Sequence, residues 1–285
     1  RHYPDLDSKD PVELFDAVVD RQAHLIAQWQ LIGFIHGVMN TDNTLLSGET
    51  IDYGPCAFIN EYDPKTVYSS IDRHGRYAYQ NQPSIARWNL QRFAGTLMTM
   101  AGDDSQMESE LEKVVGDFTN RYQRAYNQGI ANKLGLDELS SEDQPLVDDF
   151  FSLMKQHEID FTLAFRRLSE RASPQVSSAQ REIEEFFTFP SAFDQWFDRW
   201  SDRLRQQDRH PVDIAESMQE TNPLVIPRNY QVNDAIEQAV EHGDYEKFFD
   251  LVDVFTSPFE WPANHEQCLQ PPTSQQRVET TFCGT

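Results

Sequence analysis

The chain has no apolar run approaching the roughly 18 to 20 residues that a membrane-spanning helix requires. It has few cysteines: Cys56, Cys268 and Cys283 are odd in number and widely separated. That spacing argues against a disulfide framework or a zinc cluster and suits a reducing compartment. Positive charge is also scarce, with 24 Lys and Arg against 47 Asp and Glu and a net charge of −23. Such a surface repels phosphate backbones and anionic lipids, so neither nucleic acid nor membrane is expected as a partner. No internal repeat, low-complexity tract or N-terminal targeting segment is read in the sequence, and a cytoplasmic location is expected.

What is present is a globular composition, with 39% hydrophobic and 12% aromatic residues across 285 positions. That is too apolar for a disordered chain and ample for a core. Helical periodicity dominates. Asp10, Pro11 and Glu13 form a start signal, Leu14 to Ile32 recur at helical spacing, and Gly33 is a stop. A second helix is opened by Pro83 and is expected to bury Ile85, Trp88, Leu90, Phe93 and Leu97. Further helices are expected near 107–134, 143–155 and 158–172, the last ending in Arg166, Arg167 and Arg171. Those arginines are read as a solvated face or the contact of an acidic partner helix. Phe193, Trp196, Phe197, Trp200 and Leu204 make an aromatic core stripe, and Gly243 and Asp244 separate two more helices. Residues 173–178 read as a linker and residues 261–285 as an extended tail.

Between the first two helices lies a different pattern. His36-Gly37-Val38-Met39-Asn40-Thr41-Asp42-Asn43 is followed by a small hairpin expected over 44–51, then Asp52-Tyr53-Gly54. Kinases use the same layout, H-R-D-x-x-x-x-N followed by D-F-G. A hairpin that folds back brings Asn43 and Asp52 to one spot. There an amide carbonyl and a carboxylate are hard oxygen ligands for Mg²⁺ shared with phosphate. The catalytic Asp of that layout falls at Val38, which cannot take a proton, and Gly37 replaces its Arg. Asp42 is the one carboxylate in the loop and the candidate base. The bland reading of all three residues is a polar turn beside a hairpin. His36 is read as structural. Arg76, Asn81 and Trp88 could position substrate or simply form buried hydrogen bonds.

The segments Gly33 to Asn43, Thr50 to Pro55, Gly75 to Pro83 and Trp88 to Arg92 resemble, in order and spacing, the signature of the selenoprotein O family. So do Asn222-Pro223, Pro227 to Tyr230, Asp234 to Ile236 and Gly243 to Tyr245 near the end. The resemblance implies a mainly α, protein-kinase-like C-lobe with a small β-hairpin over residues 1–100. It implies a helical remainder and C-terminal extension over 101–260. The nucleotide-binding N-lobe is expected to be missing from this chain. The implied activity is transfer of AMP from ATP to Ser, Thr or Tyr hydroxyls of protein substrates, with Mg²⁺ or Mn²⁺. The implied roles are Asp42 as proton acceptor, Asn43 and Asp52 as metal ligands, and Asp52 also facing the nucleotide. Without an N-lobe, the isolated chain is expected to be inactive. Two alternatives stay open: an ordinary phosphotransferase, and a non-catalytic nucleotide-binding pseudokinase or scaffold module, which Val38 favours. The resemblance also implies a redox role for Cys283. The partner position in the activation segment holds Tyr68, while Cys56 lies nearer Asp52.

Overall fold

The computed structural model describes residues 2–4, 6, 10–102, 104–173, 183–184 and 186–282. Residues 174–178 of the expected linker, and Cys283, lie outside that set. The described chain is mainly helical and divides into two compact units. The first comprises Arg1–Cys56, Pro64–Gly129 and Thr280–Thr285; the second comprises Ala57–Asp63 and Ile130–Glu279. Extended structure among the described residues is limited to β1 (Phe34–Ile35), β2 (Ala57–Phe58) and isolated bridges. Of the described helices, none is long and apolar enough to cross a membrane.

The first unit is built on α1 (Pro11–Ile32), α2 (Gln82–Ala101) and most of α3 (Ser105–Lys133). The start of α1 follows its sequence signals: the Asp10 carboxylate accepts from the amides of Val12 at 2.8 Å and Glu13 at 3.3 Å. That satisfies two of the amides a helix start leaves orphaned. Gly33 closes the helix at φ 74°, its amide reaching Trp29 O. Phe15, Val19 and Ile26 of α1, Leu90 of α2, and Leu111 and Phe118 of α3 are buried. Burial of each such side chain stabilises the fold by roughly 1.5–3 kcal/mol. Arg121 of α3 reaches Asp16 of α1 at 2.6 Å.

Two expectations for this unit are corrected. No hairpin forms over 44–51; the segment is an irregular loop with a turn closed by Gly48 N–H to Leu45 O. Side chains of α1 also hold it. Gln22 donates to Leu45 O at 2.7 Å, Arg21 to Ser47 O at 3.1 Å, and the Trp29 indole to Thr50 Oγ1 at 3.1 Å. Trp88 is not buried in the helix core but 40% exposed.

The second unit contains α4 (Gln144–Gln156), α5 (Phe161–Ala172), α6 (Asp194–Arg205), α7 (Pro211–Thr221), α8 (Asn229–Glu237) and α9 (Glu246–Thr256). The aromatic stripe is its core. Trp196 lies 4.5 Å from Phe150 and stacks on Trp200 at 5.7 Å. Both indoles donate to carbonyls, of Leu146 and Leu134, so neither indole N–H is left unpaired. Two of the three arginines of α5 do not lie on a solvated face. Arg166 and Arg167 are buried, because this helix is packed on nearly every side. Arg166 donates to Gln219 O and Asn222 O, Arg167 to Glu170 within the same helix, and Arg171 covers the Phe197 ring. Between α8 and α9, Gly243 adopts φ 64° and Asp244 caps Glu246 N–H at 3.0 Å. Beyond α9 a short 3-10 turn, Glu266–Leu269, buries Cys268 and Leu269.

Candidate active site

The candidate site lies in the first unit, in the loop that leaves β1 and in the segment that carries Asp52. His36 is its first structural part. The imidazole is buried, with 1% exposure, and Nε2–H donates to Ile51 O at 2.8 Å. That bond fixes the tautomer, leaving Nδ1 as the acceptor facing Val38 N–H at 3.4 Å. Burial pushes the His36 pKa down, against the opposing pull of the Ile51 carbonyl and the Asp52 charge. A neutral ring suits both bonds. His36 thus ties the loop to the residue immediately before Asp52.

The ring is held in turn. Gln82 is fully buried; its Oε1 accepts from His36 N–H at 3.0 Å and its Nε2 donates to Phe34 O at 2.9 Å. Asn89 donates to Met39 O at 3.1 Å and Thr44 Oγ1 at 3.0 Å, and Tyr77 OH to Asn40 Oδ1 at 2.7 Å. Gly37 adopts φ +84°, and a Cβ there would stand 2.7 Å from Pro55 O. Only glycine combines that dihedral with so close a backbone approach. Val38 is buried, and its carbonyl, not its side chain, faces the site.

Asn43 and Asp52 meet: Asn43 Nδ2 donates to Asp52 Oδ2 at 2.9 Å and to Val38 O at 3.0 Å. With both amide hydrogens engaged, the Asn43 carbonyl oxygen accepts no hydrogen bond among the described residues. Asp52 is exposed and sits at φ 56°, in the left-handed region. Asp tolerates that region better than most residues, but it is uncommon and marks a position held by its surroundings. Asp42 is exposed on the 3-10 turn Thr41–Asn43, one residue from Asn43, and its carboxylate takes no hydrogen bond among the described residues. Cys56 is half-buried, and burial raises its pKa to about 11 while its thiol donates to Tyr53 O. It is therefore a poor nucleophile at neutral pH.

The donor set fits a magnesium ion shared with phosphate, not a cage made by protein alone. No group of three or more His, Cys, Asp or Glu able to hold a metal occurs among the described residues. One carboxylate beside one free amide oxygen is the pattern by which Mg²⁺ is bound through few protein ligands plus substrate oxygens.

Sequence reasoning singled out Asp42, Asn43 and Asp52, and treated His36 as structural. It assigned no role to Gln82 or Asn89, which hold the loop. Both lie in segments resembling the family signature, but their role depends on burial against a loop more than forty positions away, which the sequence does not show.

The family model described as "Protein adenylyltransferase SelO" matches residues 1–256. A protein nucleotidyltransferase YdiU of Rhodopseudomonas palustris (strain HaA2) is 45% identical over 288 residues, covering 100% of this chain and 58% of the relative. Namesakes from Bradyrhizobium sp. (strain ORS 278) and Rhizobium meliloti (strain 1021) are 46% and 44% identical with the same coverage. The chain therefore spans less than two thirds of the length of these relatives.

Proposed function

The chain belongs to the SelO family, and from that premise we propose that it serves ATP- and Mg²⁺-dependent transfer of AMP to Ser, Thr or Tyr hydroxyls of protein substrates. On this reading residues 1–100 are a protein-kinase-like C-lobe, followed by a helical extension. The observation that carries the proposal is the 2.9 Å bond that sets the Asn43 amide against the Asp52 carboxylate.

Asn43 Oδ1 and the Asp52 carboxylate would hold the Mg²⁺ together with phosphate oxygens. When bound, the metal supplies neutralisation of the charge that develops on the phosphates. The chain's own contributions are positional and protonic. His36, Gln82 and Asn89 fix the two segments, so the ligands need no rearrangement. Asp42, exposed and unbonded, takes the proton of the attacking hydroxyl. The hydroxyl oxygen bonds to the α-phosphorus, the bond to the β-phosphate bridging oxygen breaks, and pyrophosphate leaves. Buried Val38 at the usual catalytic position favours a second reading, a nucleotide-binding module without chemistry.

The test uses a polypeptide spanning the relatives' full length, with ATP labelled at the α or the γ phosphate. Label transferred to protein from the α position alone supports the proposal. Transfer from the γ position alone identifies a phosphotransferase, and nucleotide binding without transfer identifies a scaffold.

A further inference from the structure

The arginines of this acidic chain fall into paired and unpaired sets. Eight of them reach a carboxylate within ion-pair distance. Among those that do not, Arg73, Arg76, Arg87 and Arg92 are exposed and lie close together in sequence. Two of them, Arg76 and Arg92, share one exposed ring, that of Trp88. The guanidinium of Arg76 lies 4.9 Å from the Trp88 ring centroid and that of Arg92 lies 5.3 Å from it. Two like charges on one indole repel each other, and neither guanidinium reaches a carboxylate within ion-pair distance among the described residues. Stacking on the ring leaves the edge donors of each guanidinium free. The group is also tied to the candidate site: Tyr77, next to Arg76, donates to Asn40, two residues before Asp42.

We propose that Arg76, Trp88 and Arg92 form a docking subsite for an acidic segment of the protein substrate, beside the loop that carries Asp42. The inference rests on the transfer function proposed above and names the class of substrate it would take. Carboxylates of the segment would pair with the two guanidiniums in forked geometry, while Trp88 keeps both forks aligned. Selectivity follows from contrast. A chain of net charge −23 repels an acidic peptide everywhere except where cations are concentrated. A second copy of this chain is a poor occupant, because its own acidic surface would meet the same general repulsion.

The test is binding of a fluorescein-labelled poly-glutamate peptide to the chain, followed by anisotropy without nucleotide. Binding is expected to weaken as salt rises, because a localised basic site is being screened. The double variant Arg76→Gln/Arg92→Gln is expected to bind roughly tenfold more weakly, and Trp88→Leu to weaken binding in part. These side chains are exposed, so circular dichroism should be unchanged. Absence of binding, binding that strengthens with salt, or binding indifferent to the arginine substitutions overturns the proposal. Because the measurement needs no nucleotide, its outcome is separable from the transfer reading. If α-phosphate transfer fails while the peptide binds, only the function proposed above is at fault.

Discussion

The imidazole of His36 donates to the carbonyl of Ile51 across 2.8 Å, joining the two segments whose side chains carry the candidate chemistry. Replacing His36 with Ala removes that donor and leaves a part-buried carbonyl and the Val38 amide without a partner. The expected cost is about 1–3 kcal/mol, read as a lower midpoint in urea. The wild-type bond should also be pH-sensitive. The folded His36 pKa is lowered from 6.5, so the unfolded chain binds the proton more readily. Stability is then present above about pH 6.5 and declines as pH falls below it. A His36→Ala variant showing the same acid-side decline as wild type would contradict this assignment.

Gly37→Ala should damage the site without removing any functional group. A Cβ at this position meets Pro55 O at 2.7 Å with the backbone at φ +84°. The backbone must shift, at an expected cost of about 1–3 kcal/mol. The shift moves the loop that holds Asn43, so transfer activity should fall more than the stability loss explains. Equal Tm and activity in the variant would show that the approach of the two loops is not required.

In the second unit Lys133 is buried against Phe165, with its ammonium 4.1 Å from the ring centroid. The ring favours the charged form, yet desolvation dominates and pushes the Lys133 pKa down to about 7. The unfolded chain binds the proton more tightly over the window from about 7 up to the ordinary value of 10.5. Burying Lys133 therefore opposes folding most strongly below that window, and the penalty fades as pH rises through it. Lys133→Met should stabilise the fold by on the order of 2 kcal/mol near neutral pH and by progressively less toward alkaline pH. A gain that does not change with pH, or a net loss of stability, would refute this account.

How legible this was in the sequence varied with the physics. The start and stop of α1 were readable because Asp10, Pro11 and Gly33 act on the backbone next to them. The aromatic core of α6 was readable because Phe193, Trp196 and Trp200 repeat at helical spacing. The loop at 44–51 was misread as a hairpin because its partners are distant: Gln22 and Trp29 sit more than twenty positions earlier. Burial of Arg166 was missed for the same reason, since charge alone does not reveal that Gln219 and Asn222 turn their carbonyls inward, whereas Arg167 does meet an acidic side chain outside its helix, Glu184. The meeting of Asn43 and Asp52 was anticipated through motif spacing, while the positions of Gln82 and Asn89, which hold the loop, depend on burial that the sequence does not show.

The central claim is that the Asn43 amide and the Asp52 carboxylate jointly grip a divalent cation carrying ATP. Electron paramagnetic resonance of Mn²⁺ with ATP, on a polypeptide of the relatives' full length, tests it most directly. Wild type should draw Mn²⁺ from solution when ATP is present. Asn43→Ala should weaken that uptake and Asp52→Ala should weaken it at least tenfold, the usual cost of losing a charged ligand. Unchanged Mn²⁺ uptake in the Asp52→Ala protein would contradict the account.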